Sequence, residues 1–342
     1  MFQDITIEQL RELQNAGGVR LIDVRSPGEF AEFTIPGSVN IPLFDDEERA
    51  EIGTIYKQIS IQAAKDRGLE IVSAKLPHLV RQFRQIEGRK AVFCWRGGMR
   101  SKTTATVLSL MGIQADRLSG GIRAYRNWVV ETLANYDLRS QMIVVAGRTG
   151  TGKTEILRHL AKFGYPVIEL ERLAQHRGSV FGHIGMKASN QKTFESLLVQ
   201  ELEKWRDTPY IIIEAESKRI GKAVLPDFLV QAKTNGISIY VDMPLAQRVR
   251  NIMEVYKPQE RKQQYIEAFQ KIKKRIHTPV AALIESLLGE DRFEEAISLL
   301  LEHYYDPRYD YAAGNQAQIV CEAADVADAA SQVAEQIRRL HP

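Results

Sequence analysis

The chain has 342 residues, 44% of them hydrophobic and 26% charged, which excludes the disordered, fibrous and collagen-like classes and leaves a folded protein with substantial apolar cores. At about 150 residues per domain, this length favours two domains. The formal net charge is only +3, from 46 Lys and Arg against 43 Asp and Glu, so the sum alone does not indicate a nucleic-acid partner.

The first part of the chain alternates short apolar runs with helical patterns. Residues 20–24 and 90–93 are apolar runs that predict buried strands, and residues 101–111 carry apolar side chains at helical spacing. Strands that alternate with helices indicate a parallel sheet with crossover helices. We therefore predict an N-terminal α/β domain over residues 1–135, with its boundary in the polar stretch 133–141.

A loop beginning at Cys94 follows the second of these strands, with the sequence Cys94-Trp95-Arg96-Gly97-Gly98-Met99-Arg100-Ser101. In this position the backbone N–H groups of the loop can converge on one point, with the positive end of the next helix behind them. Together with Arg96 and Arg100, they would stabilise a thiolate or an incoming anion. The sequence therefore predicts a reactive Cys94. Cys321 lies in an apolar run and is expected to be structural.

Three motifs of this region resemble the rhodanese family, in which such a cysteine carries a persulfide. They are the cysteine loop, residues 21–30 (LIDVRSPGEF) with their continuation 35–42 (IPGSVNIP), and residues 118–125 (LSGGIRAY). Single-domain members usually have arginine five positions after the cysteine, whereas Arg100 comes one position later and predicts a wider cradle. Cys-x5-Arg is also typical of cysteine phosphatases, but Phe93 stands where many of those have His, so phosphatase chemistry is the lesser interpretation.

Residues 141–342 are predicted to form a second α/β domain with a helical C-terminal region. The strand candidates are residues 142–146, 166–170, 210–213 and 237–241, and helical patterns separate them. The pattern is helical over most of residues 245–301, and residues 323–340 form an Ala-rich closing helix. No internal repeat is found in this chain.

A glycine-rich loop, residues 147–154 (GRTGTGKT), lies between the first of these strands and a predicted helix and fits the pattern G-x4-G-K-[ST]. The glycines let backbone N–H groups face a diphosphate, the lysine adds a positive charge, and the threonine can hold Mg²⁺ where a metal is used. The predicted diphosphate-binding residues are Gly147, Gly150, Gly152, Lys153 and Thr154. The fold class is thus a rhodanese-like α/β domain followed by a P-loop NTPase-like α/β domain.

Metal ligands are sparse in this sequence. Glu214 and Asp242 each end a predicted strand and are the candidate partners of a magnesium ion, although either is equally consistent with a solvated acid. The seven histidines show no ligand spacing, and the two cysteines make no CxxC pair, so no structural metal is expected.

Basic residues concentrate in two segments, each of which is either a solvated helix face or a set of phosphate contacts. The first contains Arg81, Arg84, Arg89, Lys90, Arg96, Arg100 and Lys102, and the second contains Lys257, Arg261, Lys262, Lys271, Lys273, Lys274 and Arg275. Four tyrosines are candidates for stacking on bases, although core packing is the commoner role of such residues: Tyr256, Tyr265, Tyr304 and Tyr305.

A rhodanese-like module followed by a phosphate-loop module resembles the tRNA 2-selenouridine synthase family over nearly the whole chain. Besides the two loops, the matching blocks are Glu171, residues 176–179 (HRGS) with 181–182 (FG), and residues 216–221 (ESKRIG). The resemblance implies selenium insertion at the wobble uridine of tRNA. In this family 2-thiouridine is first S-alkylated with geranyl diphosphate, and selenophosphate then supplies selenium to the S-geranyl intermediate.

The resemblance also implies roles for the predicted residues. Cys94 would accept selenium with Arg96 and Arg100 stabilising the anion, and the phosphate loop would bind geranyl diphosphate. Candidate contacts to substrate or metal are Glu171, His176, Arg177, Ser179, Glu214 and Arg219. Selenophosphate and geranyl diphosphate are expected as co-substrates, with Mg²⁺ as an option and no tightly bound cofactor. The expected partners are the tRNA anticodon stem-loop and an enzyme that supplies selenophosphate.

Two other classes of function stay open at this point. One is an ATP-dependent sulfur-transfer enzyme acting on tRNA or a carrier, with the first domain supplying persulfide. The other is a non-catalytic docking module, which the complete cysteine loop disfavours. Two cysteines without a disulfide framework, no signal peptide and no apolar run of about 18 residues predict a cytoplasmic protein without a membrane partner.

Overall fold

The computed structural model describes residues 2–308 and 318–342. The chain divides into two compact units, residues 1–135 with 195–197, and residues 136–194 with 198–342. Within the described residues, no helix combines the length and the apolar character that crossing a membrane requires.

The first unit is built on a parallel sheet of five strands in the order β1-β5-β4-β2-β3. Its strands are β1 (Asp4–Ile5), β2 (Val19–Asp23), β3 (Val39–Asn40), β4 (Arg89–Phe93) and β5 (Ala115–Leu118). Its helices are α1 (Ile7–Asn15), α2 (Pro27–Glu32), α3 (Asp46–Gln58), α4 (Ile61–Arg84), α5 (Met99–Leu110) and α6 (Gly121–Ala134).

The central strands β2 and β4 place the cysteine loop. Ile22 pairs with Val92 and Asp23 with Phe93, and all four side chains are buried because helices cover both faces of a parallel sheet. Cys94 therefore follows β4 at the carboxyl edge of the sheet, where ligands of open α/β sheets usually bind.

The second unit has another parallel five-stranded sheet, in the order β12-β11-β6-β8-β7, and a short antiparallel pair, β9 and β10. The strands are β6 (Gln141–Ala146), β7 (Val167–Ile168), β8 (Tyr210–Glu214), β9 (Arg219–Ile220), β10 (Ala223–Val224), β11 (Ile237–Asp242) and β12 (Gln318–Glu322). The helices are α7 (Lys153–Lys162), α8 (Leu170–Ala174), α9 (Gln191–Lys204), α10 (Asp227–Thr234), α11 (Leu245–Tyr256), α12 (Lys262–Gln270), α13 (Thr278–Gly289), α14 (Phe293–Leu300) and α15 (Val326–Leu340).

Strand β6 lies between β8 and β11, so the loop that follows it opens between the ends of two neighbouring strands. Val145 pairs with Glu214 on one side, and Ala146 pairs with Tyr240 on the other. The core on one face of the sheet includes Ile143, Ile212 and Ile239, all fully buried, together with helices α7 and α15. This register sets the phosphate loop against Glu214 at the carboxyl edge.

A second apolar core fills the helical region of this unit. Buried side chains of α12, α13 and α14 pack together, and Phe181 and Ile184 from the segment after α8 join them. Helix α14 continues into a π-helical turn over Leu301–Tyr305, a feature often found at functional sites. The predicted fold, two α/β domains with a helical C-terminal region, is confirmed.

Candidate active sites

Cys94 lies buried at the start of its loop. Its side chain is only 3% exposed, and its sulfur is 3.2 Å from the Ser101 hydroxyl oxygen in the first turn of α5. The Cys94 carbonyl accepts a hydrogen bond from the Ile122 N–H at 2.9 Å, and the next carbonyl accepts one from the Arg123 N–H at 3.2 Å. The start of α6 thus fixes the backbone from which the cysteine projects.

Gly121 allows this close approach. Its φ is +58°, and a Cβ at this position would lie 2.2 Å from the Cys94 carbonyl oxygen and 2.6 Å from the Gly97 nitrogen. No side chain fits in that space, and a left-handed φ is also unfavourable for residues other than glycine. The motif at residues 118–125 therefore accompanies the cysteine loop because the two backbones are in direct contact.

The two predicted arginines have different surroundings. The Arg100 guanidinium forms a two-point ion pair with the Glu29 carboxylate, at 2.5 and 3.2 Å, and Arg96 is exposed to solvent. Glu29 comes from the motif at residues 21–30, so the ion pair joins that motif to the cysteine loop. Although burial opposes it, this pairing holds the pKa of Glu29 below its usual range.

Arg117 is a residue of this site that the sequence did not indicate. Its Nη1 donates to the Gly97 carbonyl oxygen at 2.7 Å, inside the cysteine loop, and Asp4 in β1 accepts hydrogen bonds from the same guanidinium. Asp4 raises the pKa of Arg117, with a smaller contribution from the Cys94 sulfur. Arg117 lies in β5 outside any recognisable motif, and only the folded sheet brings it to the loop.

The phosphate loop has the conformation that its glycines predict. The φ values of Gly147, Gly150 and Gly152 are +155°, +88° and +72°, which side-chain-bearing residues rarely adopt. The Lys153 ammonium donates to the Gly147 carbonyl oxygen at 3.0 Å, across the mouth of the loop. The loop is thus closed by its own lysine and opens directly into α7.

Helix α11 supports the phosphate loop from outside. Buried Arg248 donates from Nε to the Thr149 carbonyl oxygen at 2.9 Å and forms a two-point ion pair with Asp306 at 2.6 and 2.9 Å. Asn251 donates to the Gly150 carbonyl oxygen at 2.9 Å. These two side chains fix carbonyl groups of the loop, so its N–H groups stay directed toward a ligand.

A chain of polar contacts runs from Thr154 into the interior. The Thr154 hydroxyl donates to Glu171 Oε2 at 2.7 Å, and the other Glu171 oxygen accepts the Gly178 N–H at 2.7 Å. The Glu171 N–H in turn donates to Glu214 Oε1 at 2.7 Å. Three predicted residues, Thr154, Glu171 and Glu214, are therefore brought together at one edge of the sheet.

Burial changes the acid strength of two nearby carboxyl groups. Glu214 is fully buried, and this burial together with Glu171 and Glu216 raises its pKa to about 8. Burial and the neighbouring Glu171 raise the pKa of Glu216 to about 7, although Lys153 and Lys233 oppose the shift. Glu214 is therefore largely protonated at neutral pH, which makes it a poor ligand for a cation in this state.

A cavity of about 1050 Å³ opens beside the phosphate loop. Lys153, Thr154, Glu171 and Arg177 contribute polar groups to its wall. The other part of the wall is apolar and comes from the segment after α8 and from the C-terminal helices: Phe181, Tyr265, Leu288, Phe293, Ile297 and Leu300. One cavity of the second unit thus combines a phosphate-binding loop with an extended apolar surface.

Two further predicted residues, Arg177 and Ser179, line this cavity next to Tyr256. The Arg177 guanidinium lies over the Tyr256 ring, 4.9 Å from its centre, and the Ser179 hydroxyl is 3.1 Å from the tyrosine hydroxyl. Tyr265 donates to the Tyr256 carbonyl oxygen at 2.7 Å and stacks on Phe181. These tyrosines belong to the buried wall of the cavity, in keeping with the core role.

The remaining predicted residues lie apart from this cavity. His176 packs against Gly221, and burial lowers its pKa. Arg219 is exposed in the short strand β9. Asp242 lines a second cavity of about 620 Å³ beside Arg148 and Arg248. Arg219 and Asp242 are not brought together with Thr154 and Glu171, whereas His176 is close enough to Glu171 for that carboxylate to oppose the lowering of its pKa.

The pair Thr154 and Glu171 has a geometry suited to magnesium. An octahedral ion with oxygen ligands at about 2.0–2.1 Å places neighbouring ligands about 2.9 Å apart, and the two side-chain oxygens are separated by 2.7 Å. Magnesium commonly takes one or two protein ligands and completes its shell with phosphate oxygens and water. In the described part of the chain, no cluster of three or more His, Cys, Asp or Glu side chains is arranged to hold a metal.

The fold and the two loops define a rhodanese-like unit joined to a P-loop unit, and comparison with known families agrees. The model of the rhodanese-like domain matches residues 6–127, and the model of the tRNA 2-selenouridine synthase AAA domain matches residues 140–340. The chain belongs to the tRNA 2-selenouridine synthase family.

Individual relatives support this assignment. The tRNA 2-selenouridine synthase of Nitrosomonas europaea is 38% identical over 260 residues, which cover 74% of this chain and 67% of the relative. The protein of the same name from Bdellovibrio bacteriovorus is 35% identical over 263 residues, covering 74% and 68%. That of Hahella chejuensis is 31% identical over 344 residues, covering 91% and 89%. The similarity therefore extends across both units.

Proposed function

We propose that this protein converts 2-thiouridine at the wobble position of tRNA to 2-selenouridine, through an S-geranyl intermediate and with selenophosphate as the selenium donor. Family membership supports the overall conversion. The observation that carries the geranyl step is the cavity of the second unit, where Lys153 and Thr154 share one wall with Phe293 and Leu300. A prenyl diphosphate has the same two parts, an anionic head and an apolar chain.

In the first step, the phosphate loop would hold the diphosphate of geranyl diphosphate while the thiouridine sulfur attacks the first carbon of the chain. The carbon–oxygen bond to the diphosphate breaks as the carbon–sulfur bond forms. Backbone N–H groups of residues 147–153 and the Lys153 ammonium would stabilise the departing anion. Thr154 and Glu171 would hold Mg²⁺ if the diphosphate arrives as its magnesium complex.

In the second step, selenophosphate would bind at the cysteine loop and its selenium would attack C2 of the alkylated base: the carbon–selenium bond forms, the bond from C2 to the geranyl-bearing sulfur breaks, and geranyl thiol leaves. The Cys94 thiolate would then take the phosphoryl group from selenium, which releases 2-selenouridine, and water would free Cys94 as phosphate departs. Selenium in selenophosphate is already fully reduced, so its transfer to Cys94 itself would need an oxidant, and this route needs none. The loop N–H groups and the positive end of α5 would stabilise the phospho-anion. The sulfur lies within hydrogen-bond distance of Ser101, and Arg96 is free to approach a ligand from solvent. An enzyme that produces selenophosphate must supply the donor, so we place the reaction in the cytoplasm.

The test is a reconstitution with a thiolated anticodon stem-loop, geranyl diphosphate and selenophosphate, each omitted in turn, followed by mass spectrometry of the nucleosides. We expect Lys153→Ala to lose geranylation but to selenate a stem-loop that is already geranylated. Cys94→Ser should release little 2-selenouridine and accumulate the nucleoside that still carries the phosphoryl group on selenium. A dependence of the reaction on ATP, with geranyl diphosphate dispensable, would instead support an ATP-dependent sulfur-transfer enzyme.

A further inference from the structure

Three exposed residues, Trp95, Arg96 and Met99, follow the buried Cys94 within five positions of the chain and are called the rim below. Cys94 is 3% exposed, whereas Trp95 is 45% and Met99 62% exposed. The backbone at Trp95 is held by the hydrogen bond from the Arg123 N–H to its carbonyl oxygen. The backbone of the rim is therefore held at Trp95, and two large apolar side chains face solvent in the loop that carries the reactive sulfur.

The exposure of Trp95 differs from the situation of the other two tryptophans. Trp128 is covered by the Arg11 guanidinium, 4.2 Å from the ring centre. Trp205 donates from Nε1 to the Val167 carbonyl oxygen at 3.2 Å. Within the described residues, the Trp95 indole makes no ring contact, cation–π contact or hydrogen bond. Internal packing gives no reason for an indole at this position.

The chemistry of a base-modifying enzyme explains why an indole would be exposed at position 95. A wobble base sits in the anticodon stack, and its C2 reaches a buried atom only after the base has turned out of that stack. Proteins hold such bases by stacking them on aromatic rings while cationic side chains contact the neighbouring phosphates. Trp95 provides an open ring, and the adjacent Arg96 provides an exposed guanidinium.

We infer that the rim is the binding surface for the unstacked wobble base, with the Trp95 indole stacking on the base and Arg96 contacting a flanking phosphate. Neither the cysteine-loop motif nor the phosphate-loop motif requires Trp95 to stack on a base. The inference rests on the proposed function for the identity of the RNA, but it concerns how the base is held and not how selenium is transferred. Met99 adds a flexible apolar surface beside the ring.

Substitutions at Trp95 test the stacking. For a stem-loop that is already geranylated, we expect Trp95→Ala to lower kcat/KM for selenation by about tenfold to a hundredfold, the usual effect of losing one base stack. Trp95→Phe should retain activity within about threefold, since it keeps a ring, whereas Trp95→Leu should resemble the alanine variant. Binding of selenophosphate to the protein without RNA should be unchanged in all three variants.

Two alternatives have distinct outcomes in this series. If Trp95→Leu matches the wild type while Trp95→Ala loses activity, the rim contacts the alkyl chain of the intermediate and the stacking inference is wrong. If Trp95→Ala matches the wild type, the rim has no role in binding the substrate. Tyr56→Ala is the matched control, because Tyr56 is a 56% exposed aromatic residue of the same unit outside the loop, and it should behave as the wild type.

Fluorescence gives a readout that needs no turnover. In a Trp128→Phe, Trp205→Phe background, Trp95 is the sole tryptophan, and we expect its emission to be quenched by the anticodon stem-loop. A stem-loop lacking only the wobble base should bind with little quenching. Equal quenching by both RNAs would overturn the inference. A wild-type enzyme that fails to selenate geranylated RNA would instead contradict the proposed function, and the fluorescence result would still decide whether Trp95 stacks on the base.

Discussion

At the scale of single residues, the cysteine site depends on one hydroxyl group as well as on charge. Ser101 is fully buried, and its hydroxyl oxygen lies 3.2 Å from the Cys94 sulfur and 3.3 Å from the Gly98 carbonyl oxygen. The hydroxyl can therefore donate to a thiolate at the base of the loop. Arg100, which the motif places nearby, is instead occupied by Glu29.

We predict that Ser101→Ala slows the reaction of Cys94 with iodoacetamide at neutral pH by about tenfold, because a hydrogen bond to a charged group contributes about 1.5 kcal/mol or more. Mass spectrometry of the alkylated protein in a Cys321→Ser background gives the rate at Cys94 alone. Thr104→Ala is the control, because it removes another buried hydroxyl of α5 whose hydrogen bond, among the described residues, goes to the Arg100 carbonyl oxygen. Equal rates for the two variants would show that Ser101 does not act on the sulfur.

Glu214 makes stability depend on pH in a defined direction. Burial raises its pKa from the ordinary 4.5 to about 8, so between these values the folded protein holds a proton that the unfolded chain has released. Stability therefore falls as pH rises through this window. We predict that Glu214→Gln, which keeps the acceptor for the Glu171 N–H, removes this pH dependence. At pH 7 the free energy of unfolding of the variant should exceed that of the wild type by up to ~3 kcal/mol.

Urea denaturation between pH 5 and pH 8, in EDTA to exclude bound metal, measures this difference for the second unit. The difference between the two proteins should shrink toward the acidic end, as pH approaches the ordinary pKa of 4.5 at which the carboxyl group of the unfolded chain also takes up its proton. If the wild type becomes more stable relative to the variant as pH rises, Glu214 is ionised in the folded protein and the prediction is wrong.

At the scale of elements, the start of α6 and the cysteine loop act as one assembly. We predict that Gly121→Ala destabilises the first unit by roughly 3 kcal/mol and abolishes the reactivity of Cys94, because the new Cβ meets backbone atoms that cannot move aside. Gly112→Ala is a matched control, since Gly112 has φ +71° with no atom within 4 Å of its Cβ position. Gly112→Ala should lower the free energy of unfolding by only about 1 kcal/mol, the effect of placing alanine in a left-handed backbone conformation.

Calorimetry of the full chain and alkylation of Cys94 report these two effects separately. Similar losses for the two variants would mean that the left-handed backbone, and not the contact with Cys94, explains the requirement for glycine at position 121.

Long apolar runs are the elements that the sequence predicts best. Strands β2, β4, β6, β8 and β11 begin and end within one or two residues of their predicted bounds, because a buried strand is a continuous apolar run. The two-residue strands β1, β3, β9 and β10 were not predicted, since so short a segment has no periodicity. The phosphate loop was predicted in full because its residues are local in sequence and the strand and helix on either side are clear.

The rest of the site depends on contacts between distant segments. Glu29 and Arg100 are 71 residues apart, and Arg117 reaches Gly97 only through the pairing of β4 with β5. The apolar wall of the cavity comes from side chains that look like ordinary core residues in the sequence, including Phe293 and Leu300. Periodicity places such residues on a buried face but does not say whether that face encloses a cavity.

At the scale of the whole molecule, the near-neutral net charge hides an uneven distribution. In the first basic segment, Arg89 pairs with Asp116, Arg100 pairs with Glu29, and Lys90 is buried with its ammonium on a backbone carbonyl. The members that are exposed and have no ion pair with the described residues are Arg81, Arg84, Arg96 and Lys102 in this segment, and Arg261, Lys271, Lys274 and Arg275 in the second. These eight side chains are the cations of the two segments that remain to contact RNA phosphates.

Binding of the anticodon stem-loop should therefore weaken with salt in proportion to the number of these contacts. If about four phosphates are neutralised, affinity falls roughly a hundredfold between 50 and 200 mM salt, and each lost contact makes the logarithmic slope shallower by about 0.7–0.9. We predict this shallower slope for Arg81→Ala, Arg84→Ala or Lys274→Ala. Arg67→Ala is the control, because Glu51 and Glu70 already engage that exposed guanidinium. An unchanged slope in all three variants would place the phosphate contacts elsewhere. If the slope becomes shallower for Lys274→Ala but stays unchanged for Arg81→Ala, the RNA backbone contacts the second unit and not α4.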